Sequence, residues 1–149
     1  MAESLRARAL AMLARREMSR AELRKKLEPL AQTAAELDVL LDSLSHDNLQ
    51  SDRRFTEALV HHRAKRFGAA RVAAELREKG IEPGLAEGAI DALRESEETR
   101  AFAVWRKKFA ALPKSAEERA KQGRFLMGRG FSAEVAHRVL SGKVEKDLE

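Results

Sequence analysis

Ten basic side chains carry the clearest capacity for chemistry in this sequence, and that chemistry is the binding of anions. Between Arg100 and Arg129 the chain has nine Lys or Arg residues against two acidic residues. An excess of this size can attract polyanions or an acidic protein surface, although any single cation can also serve solubility or a local ion pair. The candidate binding residues are Arg63, Lys65, Arg66, Arg71, Arg106, Lys107, Lys108, Lys121, Arg124 and Arg129.

Catalytic and metal chemistry finds little support in the sequence. The absence of Cys excludes disulfides, thiolate metal sites and a Cys nucleophile. His61 and His62 are adjacent and lie about 100° apart on a helix, so they cannot share a metal ion, and the other two histidines are distant in sequence. Neither a Walker-type phosphate loop nor a nucleophile-elbow motif is present. We therefore expect a protein that is not an enzyme, with no metal site and no cofactor.

The composition predicts an all-α fold. Hydrophobic residues make up 44% of the 149 residues and charged residues 36%, whereas aromatic residues are only 5%. Ala, Leu, Arg, Glu and Lys dominate, and these residues favour helices. The sequence has no apolar run long enough for a membrane span, and its first residues lack the apolar core of a signal peptide. We expect a soluble, cytoplasmic protein without membrane contact.

Internal repetition predicts how the helices are arranged. At an offset of 50, Leu76 aligns with Leu126 and Gly80 with Gly130, and an offset of 49 extends the match to the N-terminal third. A period near 50 is typical of stacked supersecondary units. We expect three three-helix repeats at residues 1–49, 50–95 and 96–142, followed by a frayed charged tail at 143–149. Such units, joined by short connections, predict an elongated and curved array.

Local signals place the helix ends. Capping boxes at 19–22, 33–36 and 115–118 predict helix starts, and Ser51 or Asp52 and Ser96 are expected to cap two others. Gly80 and Gly130 fit left-handed residues that follow helices, and Gly68 and Pro113 are expected to break helices. Further expectations are an intrahelical pair between Glu75 and Lys79 and a buried stripe of Phe102, Trp105 and Phe109.

Three segments carry spaced motifs that cover most of the chain. They are Leu13-x-x-Arg16-Glu17-Met18-Ser19-x-x-Glu22-Leu23-x-x-Lys26-Leu27, then Asp52-x-x-Phe55 with Lys65-Arg66-Phe67-Gly68-x-x-Arg71-Val72-x-x-Glu75-Leu76-x-x-Lys79-Gly80-Ile81, and Phe125-Leu126-x-x-Arg129-Gly130-Phe131-Ser132. In order and spacing these segments resemble the RecX family, the bacterial regulators of the RecA recombinase. Two positions depart from the family pattern: Ser51-Asp52 stands where that family usually has two acids, and Ala69-Ala70 stands where it often has Gly or Pro.

The resemblance implies a non-catalytic regulator that binds the RecA filament on single-stranded DNA, along its helical groove. Such a protein inhibits the recombinase, ATPase and coprotease activities of RecA. A monomer is expected, the ten cations are the candidate contacts, and weak direct contact with DNA is left open. Two alternatives stay open: a helical protein that binds nucleic acid without RecA, suggested by the pI of about 9.8, and a helical-repeat scaffold for another protein.

Overall fold

The chain folds into helices joined by short turns. The computed structural model describes residues 3–149, which form ten α-helices and one 3₁₀ turn (Glu28–Leu30) and contain no β-strand. Residues 1–2, which begin the predicted first repeat and the segment tested as a signal peptide, lie outside the described residues. No helix within residues 3–149 is both long enough and apolar enough to cross a membrane. The helices are α1 (Leu5–Arg15), α2 (Arg20–Leu27), α3 (Ala34–His46), α4 (Asp52–Ala64), α5 (Ala69–Glu78), α6 (Pro83–Arg94), α7 (Glu97–Lys108), α8 (Ala116–Gly128), α9 (Ala133–Leu140) and α10 (Lys143–Leu148).

Hydroxyl side chains begin most of these helices. Each accepts a hydrogen bond from the backbone N–H three residues later, which satisfies one of the donors that a helix start leaves free. In the predicted box at 19–22, the Ser19 cap forms as expected, but Glu22 pairs with Arg16 and Lys79 instead of reaching back to the cap. The capping residues are Ser4, Ser19, Thr33, Ser51, Ser115 and Ser132.

Three separate hydrophobic cores confirm an array of three-helix repeats, the third of which has α10 as an additional helix. One core lies among α1–α3, the second among α4–α6 and the third among α7–α10, and we call these groups repeats 1, 2 and 3. Leu76 and Leu126, which align at the offset of 50, are both fully buried in their own cores. The repeats follow one another in an elongated, curved array. The exact unit boundaries at 49–50 and 95–96 stay a prediction.

The third repeat departs from its predicted ends. Helix α7 stops at Lys108, well before Pro113, because Phe109 is extended and packs edge-on against Phe125 at 5.4 Å between ring centroids. Ser96 does not cap α7, since its hydroxyl donates to the carbonyl of Leu93. The predicted frayed tail is wrong as well: residues 143–148 form α10, and Val144 packs into the core of repeat 3.

Adjacent repeats are joined by the same device at both junctions. The start of the second helix of one repeat meets the end of the second helix of the next. We call the junction of repeats 1 and 2 joint 1 and that of repeats 2 and 3 joint 2. At joint 1, the Ser19 hydroxyl donates to the carbonyl of Lys79 at 2.7 Å, and the Arg20 N–H donates to Asp52 Oδ1 at 2.8 Å. The following repeat therefore satisfies polar groups at the helix start of the preceding one.

Joint 2 uses backbone groups in the equivalent places. The Gly68 N–H donates to the carbonyl of Arg129 at 2.7 Å, and the Ala69 N–H donates to the Glu97 carboxylate at 3.2 Å. Gly130 follows α8 with a φ of 94°, as expected for a left-handed residue after a helix. A Cβ at Gly68 would stand 2.3 Å from the Gly130 carbonyl oxygen, so the close approach of the two backbones requires glycine there.

The core assignment predicts unequal effects of two neighbouring substitutions. Leu126→Ala removes a fully buried side chain and should lower the free energy of unfolding by about 2–5 kcal/mol. Met127 is 52% exposed, so Met127→Ala should change that free energy by no more than about 0.5 kcal/mol. Chemical denaturation followed by circular dichroism measures both. Equal effects would contradict the placement of the third core.

The glycine contact at joint 2 predicts a second pair of unequal effects. Gly68→Ala should destabilise the protein by more than about 1 kcal/mol, because the added methyl group cannot fit against the Gly130 backbone. Gly128→Ala is the matched control, since nothing lies within 4 Å of a Cβ there, and it should be neutral or stabilising. Thermal melts of the two variants test the contact, and a Gly68→Ala variant as stable as the unmodified protein would refute it.

Candidate functional site

A group of cations surrounds two phenylalanine rings where repeats 2 and 3 meet. The guanidinium carbons of Arg71, Arg129 and Arg66 lie 4.1, 5.5 and 5.7 Å from the centroid of the Phe67 ring. Arg129 also lies 5.2 Å from the Phe125 ring, and Lys108 Nζ lies 5.5 Å from it. We call Arg66, Phe67, Arg71, Lys108, Phe125 and Arg129 the basic–aromatic surface.

Joint 2 builds this surface from two repeats. Arg66 and Phe67 lie in the turn between α4 and α5, and Arg71 lies in the first turn of α5. Arg129 is the C-cap residue directly after α8, and its carbonyl accepts the Gly68 N–H, so the joint places the Arg129 side chain beside Phe67. Arg71 Nη1 also donates to the carbonyl of Gly128 at 3.3 Å. The contacts at joint 2 therefore bring the cations of repeat 2 and those of repeat 3 together on one surface.

The cations of this surface form no ion pair with a described residue, although the charge of Arg71 adds to the lowering of the pKa of Glu75, four residues further along α5. Within residues 3–149, none of Arg66, Arg71, Lys108 and Arg129 has a carboxylate within 4.0 Å, although many other arginines form ion pairs. Cations over aromatic faces gain only about 0.5–1 kcal/mol each at exposed sites. An external anion would offset the remaining repulsion, and the arrangement therefore suits carboxylate or phosphate groups.

The other predicted binding residues are placed differently. Arg63 forms two 2.9 Å hydrogen bonds to Glu75. This hydrogen bonding raises the pKa of Arg63 and lowers the pKa of Glu75, and burial opposes both shifts. Glu75 is therefore paired with Arg63, and the predicted intrahelical pair with Lys79 is wrong, because Lys79 reaches Glu22 across joint 1 at 3.5 Å. Five more candidates are exposed: Lys65 at the end of α4, Arg106 and Lys107 in the last turn of α7, and Lys121 and Arg124 on α8.

The sequence did not predict two groups of residues that the structure places at the site. Phe67 and Phe125 lie within the family motifs, and Arg66 directly before Phe67 and Arg71 four residues after it are a signal that could have singled out Phe67. Glu97 and Arg100 at joint 2 had no comparable signal, since their partners include backbone groups about 30 residues away.

A second feature is a groove beside joint 1. It has a volume of about 600 Å³ and lies between the loop that follows α1 and the faces of α4 and α5. Its rim carries a chain of ion pairs, in which Arg16 and Lys79 both bind Glu22. The hydrogen bond from Arg16 lowers the pKa of Glu22, burial opposes this shift, and the charge of Lys79 adds to it. These mutual pairs leave the groove with less free charge than the basic–aromatic surface.

Metal ligation has no candidate in the described part of the chain. No group of three or more His, Asp or Glu side chains there is arranged to hold a metal ion. The geometry instead offers a cationic binding surface.

Comparison with known proteins relates the chain to one family. Residues 51–90 match the family model described as RecX, second three-helix domain, and residues 95–140 match the model of the third three-helix domain. A protein of Leptothrix cholodnii named Regulatory protein RecX is 47% identical, and the match covers 92% of this chain and 87% of that protein. A protein of the same name from Ralstonia pickettii is 48% identical over 95% of this chain and 89% of its own length.

Solved structures agree on the fold. The crystal structure of RecX from Lactobacillus salivarius matches with a TM-score of 0.80 and covers 97% of this chain and 96% of that one, at 19% identity. A crystal structure of a regulatory protein RecX matches with a TM-score of 0.76 over 92% of this chain and 73% of that one. At this level of identity the likeness bears on the arrangement of the helices alone.

The ion pairs of repeats 1 and 2 predict how stability depends on pH. The folded-state pKa values of Glu22 and Glu75 are lowered, so their stabilising contribution is present above the ordinary carboxyl pKa of about 4.3 and is lost as the pH falls through the folded-state values. The free energy of unfolding should therefore fall on acidification, and Glu22→Gln should make that decline shallower.

Urea denaturation at pH values from about 7 down to about 3 measures this decline across the carboxyl range. Glu87→Gln, which changes an exposed residue of α6, is the control and should keep the decline of the unmodified protein. A Glu22→Gln profile parallel to that of the unmodified protein would contradict the assignment.

Proposed function

The chain belongs to the RecX family, and from this premise we propose that it is a non-catalytic regulator that binds the RecA filament on single-stranded DNA and inhibits the recombinase, ATPase and coprotease activities of RecA. The observation that carries the proposal is the basic–aromatic surface, where cations of two repeats meet without carboxylate partners. The proposal places the protein in the cytoplasm, as a monomer that needs no cofactor.

An extended array of repeats suits a polymeric partner. Contacts from successive repeats can reach neighbouring protomers of a helical filament, and each weak contact raises the effective concentration of the next. A chain that straddles protomers in this way can oppose filament growth or favour disassembly without performing chemistry. Each of the three repeats has its own hydrophobic core. This supports binding along a filament, because the affinity can be divided among contacts from several repeats.

The proposed contacts are the ten cations, with unequal weight. Arg66, Arg71, Lys108 and Arg129 are the leading candidates, because none of them has a carboxylate within 4.0 Å among the described residues. Exposed Lys65, Arg106, Lys107, Lys121 and Arg124 extend the cationic surface. Arg63 contributes less, since breaking its two bonds to Glu75 would offset a new contact. Acidic side chains of RecA and phosphates of the DNA both match this chemistry.

A second candidate function is nucleic-acid binding without RecA. Phe67 and Phe125 beside arginines are the observation that favours it, since aromatic and guanidinium groups can stack on bases of a single strand. The two functions differ in what the protein binds alone. Tight, salt-dependent binding to naked single-stranded DNA favours the alternative, whereas weak binding to DNA together with strong filament inhibition favours the regulator.

RecA-driven strand exchange and DNA-stimulated ATP hydrolysis, with cosedimentation on filaments, test the proposal. The protein should inhibit both reactions at substoichiometric to equimolar amounts. Arg66→Glu with Lys108→Glu reverses one exposed charge from each side of the surface and should weaken filament binding on the order of tenfold or more, through the loss of two charge contacts. Circular dichroism should show unchanged helicity.

The matched control is Lys143→Glu with Lys146→Glu, which makes the same change in net charge on exposed positions of α10. The control should inhibit as the unmodified protein does. Equal losses in both variants would show that only net charge matters, and an unmodified protein that neither inhibits RecA nor sediments with filaments would reject the regulatory function.

A further inference from the structure

Arg100 is a nearly buried cation that spans joint 2. It lies on α7 of repeat 3, and its side chain is 14% exposed. All three of its guanidinium nitrogens donate hydrogen bonds, which fill every N–H of the group. The acceptors are the carbonyls of Ala64 at 3.0 Å and Phe67 at 2.8 Å for Nη1, the carbonyl of Leu93 at 3.0 Å and Glu97 Oε2 at 2.7 Å for Nη2, and the Ser96 hydroxyl at 2.9 Å for Nε.

The two bonds from Nη1 hold the turn between α4 and α5, and we call this pair of bonds the Arg100 clasp. That turn carries Lys65, Arg66 and Phe67, and the carbonyls of Ala64 and Phe67 bracket it. Burial lowers the pKa of Arg100, whereas the charge of Glu97 and the bond to it oppose that effect. A residue of repeat 3 thus fixes the segment of repeat 2 that presents part of the basic–aromatic surface, without itself belonging to that surface.

Joint 1 forms without an arginine at the position that corresponds to Arg100, so a joint between repeats does not require this clasp. Asp52 and Glu97 are both the first residue of their helices, and each accepts a hydrogen bond from the second helix of the preceding repeat. Three residues further on, repeat 2 has Phe55, which is buried in its own core, whereas repeat 3 has Arg100. The arginine is therefore an addition to the joint, and it reaches the turn from which Arg66 and Phe67 project.

A restraint of this kind has a physical reason at this place. Three guanidinium groups lie around the one Phe67 ring, so their mutual distances are about a Debye length or less, ~10 Å at 0.1 M ionic strength. Their repulsion favours displacement of the turn away from Arg129. Bonds to backbone carbonyls resist that displacement without adding a carboxylate that would neutralise the surface.

We propose that Arg100 is a positioning residue, whose clasp on the Ala64–Phe67 turn keeps Arg66 and Phe67 of repeat 2 in register with Arg129 of repeat 3. The structural half of this inference stands without RecA, whereas its effect on filament binding rests on the proposed function. Two measurements therefore address the two halves separately.

The first measurement is the distance between the two sides of the surface. The chain has no Cys, so Lys65→Cys and Met127→Cys place two spin labels at exposed positions, one on the turn and one on α8. Double electron–electron resonance should give one narrow distance distribution. Arg100→Lys keeps the charge but cannot bind the same set of acceptors, and it should broaden or shift the distribution. An unchanged distribution in Arg100→Lys would overturn the proposal.

Arg138→Lys is the matched control, because Arg138 pairs with Glu98 and Asp147 inside repeat 3. It should leave the distance distribution narrow, and equal broadening in both variants would overturn the specific role of Arg100. If Arg100→Lys does not fold, Glu97→Gln replaces it. That change keeps an oxygen for the Ala69 N–H but removes the negative partner of Arg100, and it should broaden the distribution to a smaller extent.

The second measurement is a double-mutant cycle on filament affinity. Arg100→Lys should weaken binding on the order of three- to tenfold, and Arg66→Gln should cost less in the Arg100→Lys background than in the unmodified protein. If the affinity losses of Arg100→Lys and Arg66→Gln simply add, Arg100 does not act through the turn. A general loss of stability would give no coupling between the two substitutions. If even the unmodified protein fails to bind filaments, the proposed function fails, while the spin-label distances still decide the role of Arg100.

Discussion

The whole arrangement depends on backbone groups at a helix start that find their partners in the next repeat. The N–H groups of Gly68 and Ala69 at the beginning of α5 donate to Arg129 and Glu97, which both belong to repeat 3. A buried N–H without an acceptor costs about 1–3 kcal/mol, so this constraint fixes how closely and in which orientation the repeats meet. Joint 1 solves the same problem with Ser19 and Asp52, which shows that the constraint is a property of the repeat.

The joint also decides where the charge is placed. The carbonyl that accepts the Gly68 N–H belongs to Arg129, and the side chain of that arginine lies over Phe67 and Phe125. Packing and the placement of charge are therefore linked through one residue, because the same backbone contact that joins two repeats brings cations of both together. A cationic surface composed in this way needs no large hydrophobic interface between the repeats.

Short-range features were predictable from the sequence, and contacts between distant residues were not. The alignment of Gly80 with Gly130 and the capping serines depend on local backbone geometry, and the structure agrees with them. The end of α7, residues 143–148 and the partner of Lys79 were predicted wrongly, because each is decided by packing against another part of the chain. At the site, charge marked the cations, but nothing local revealed that Arg66 and Arg129 meet or that Arg100 holds the turn between them.

Amide hydrogen exchange at the starts of α5 and α8 tests the shared helix start most directly. Ala69 and Ala116 are the first residues of equivalent helices, but repeat 3 supplies an acceptor only to the Ala69 N–H. The amides of Gly68 and Ala69 should exchange as slowly as the core amide of Val72, whereas that of Ala116 should exchange orders of magnitude faster. Rapid exchange at Gly68 and Ala69, matching that of Ala116, would contradict the account.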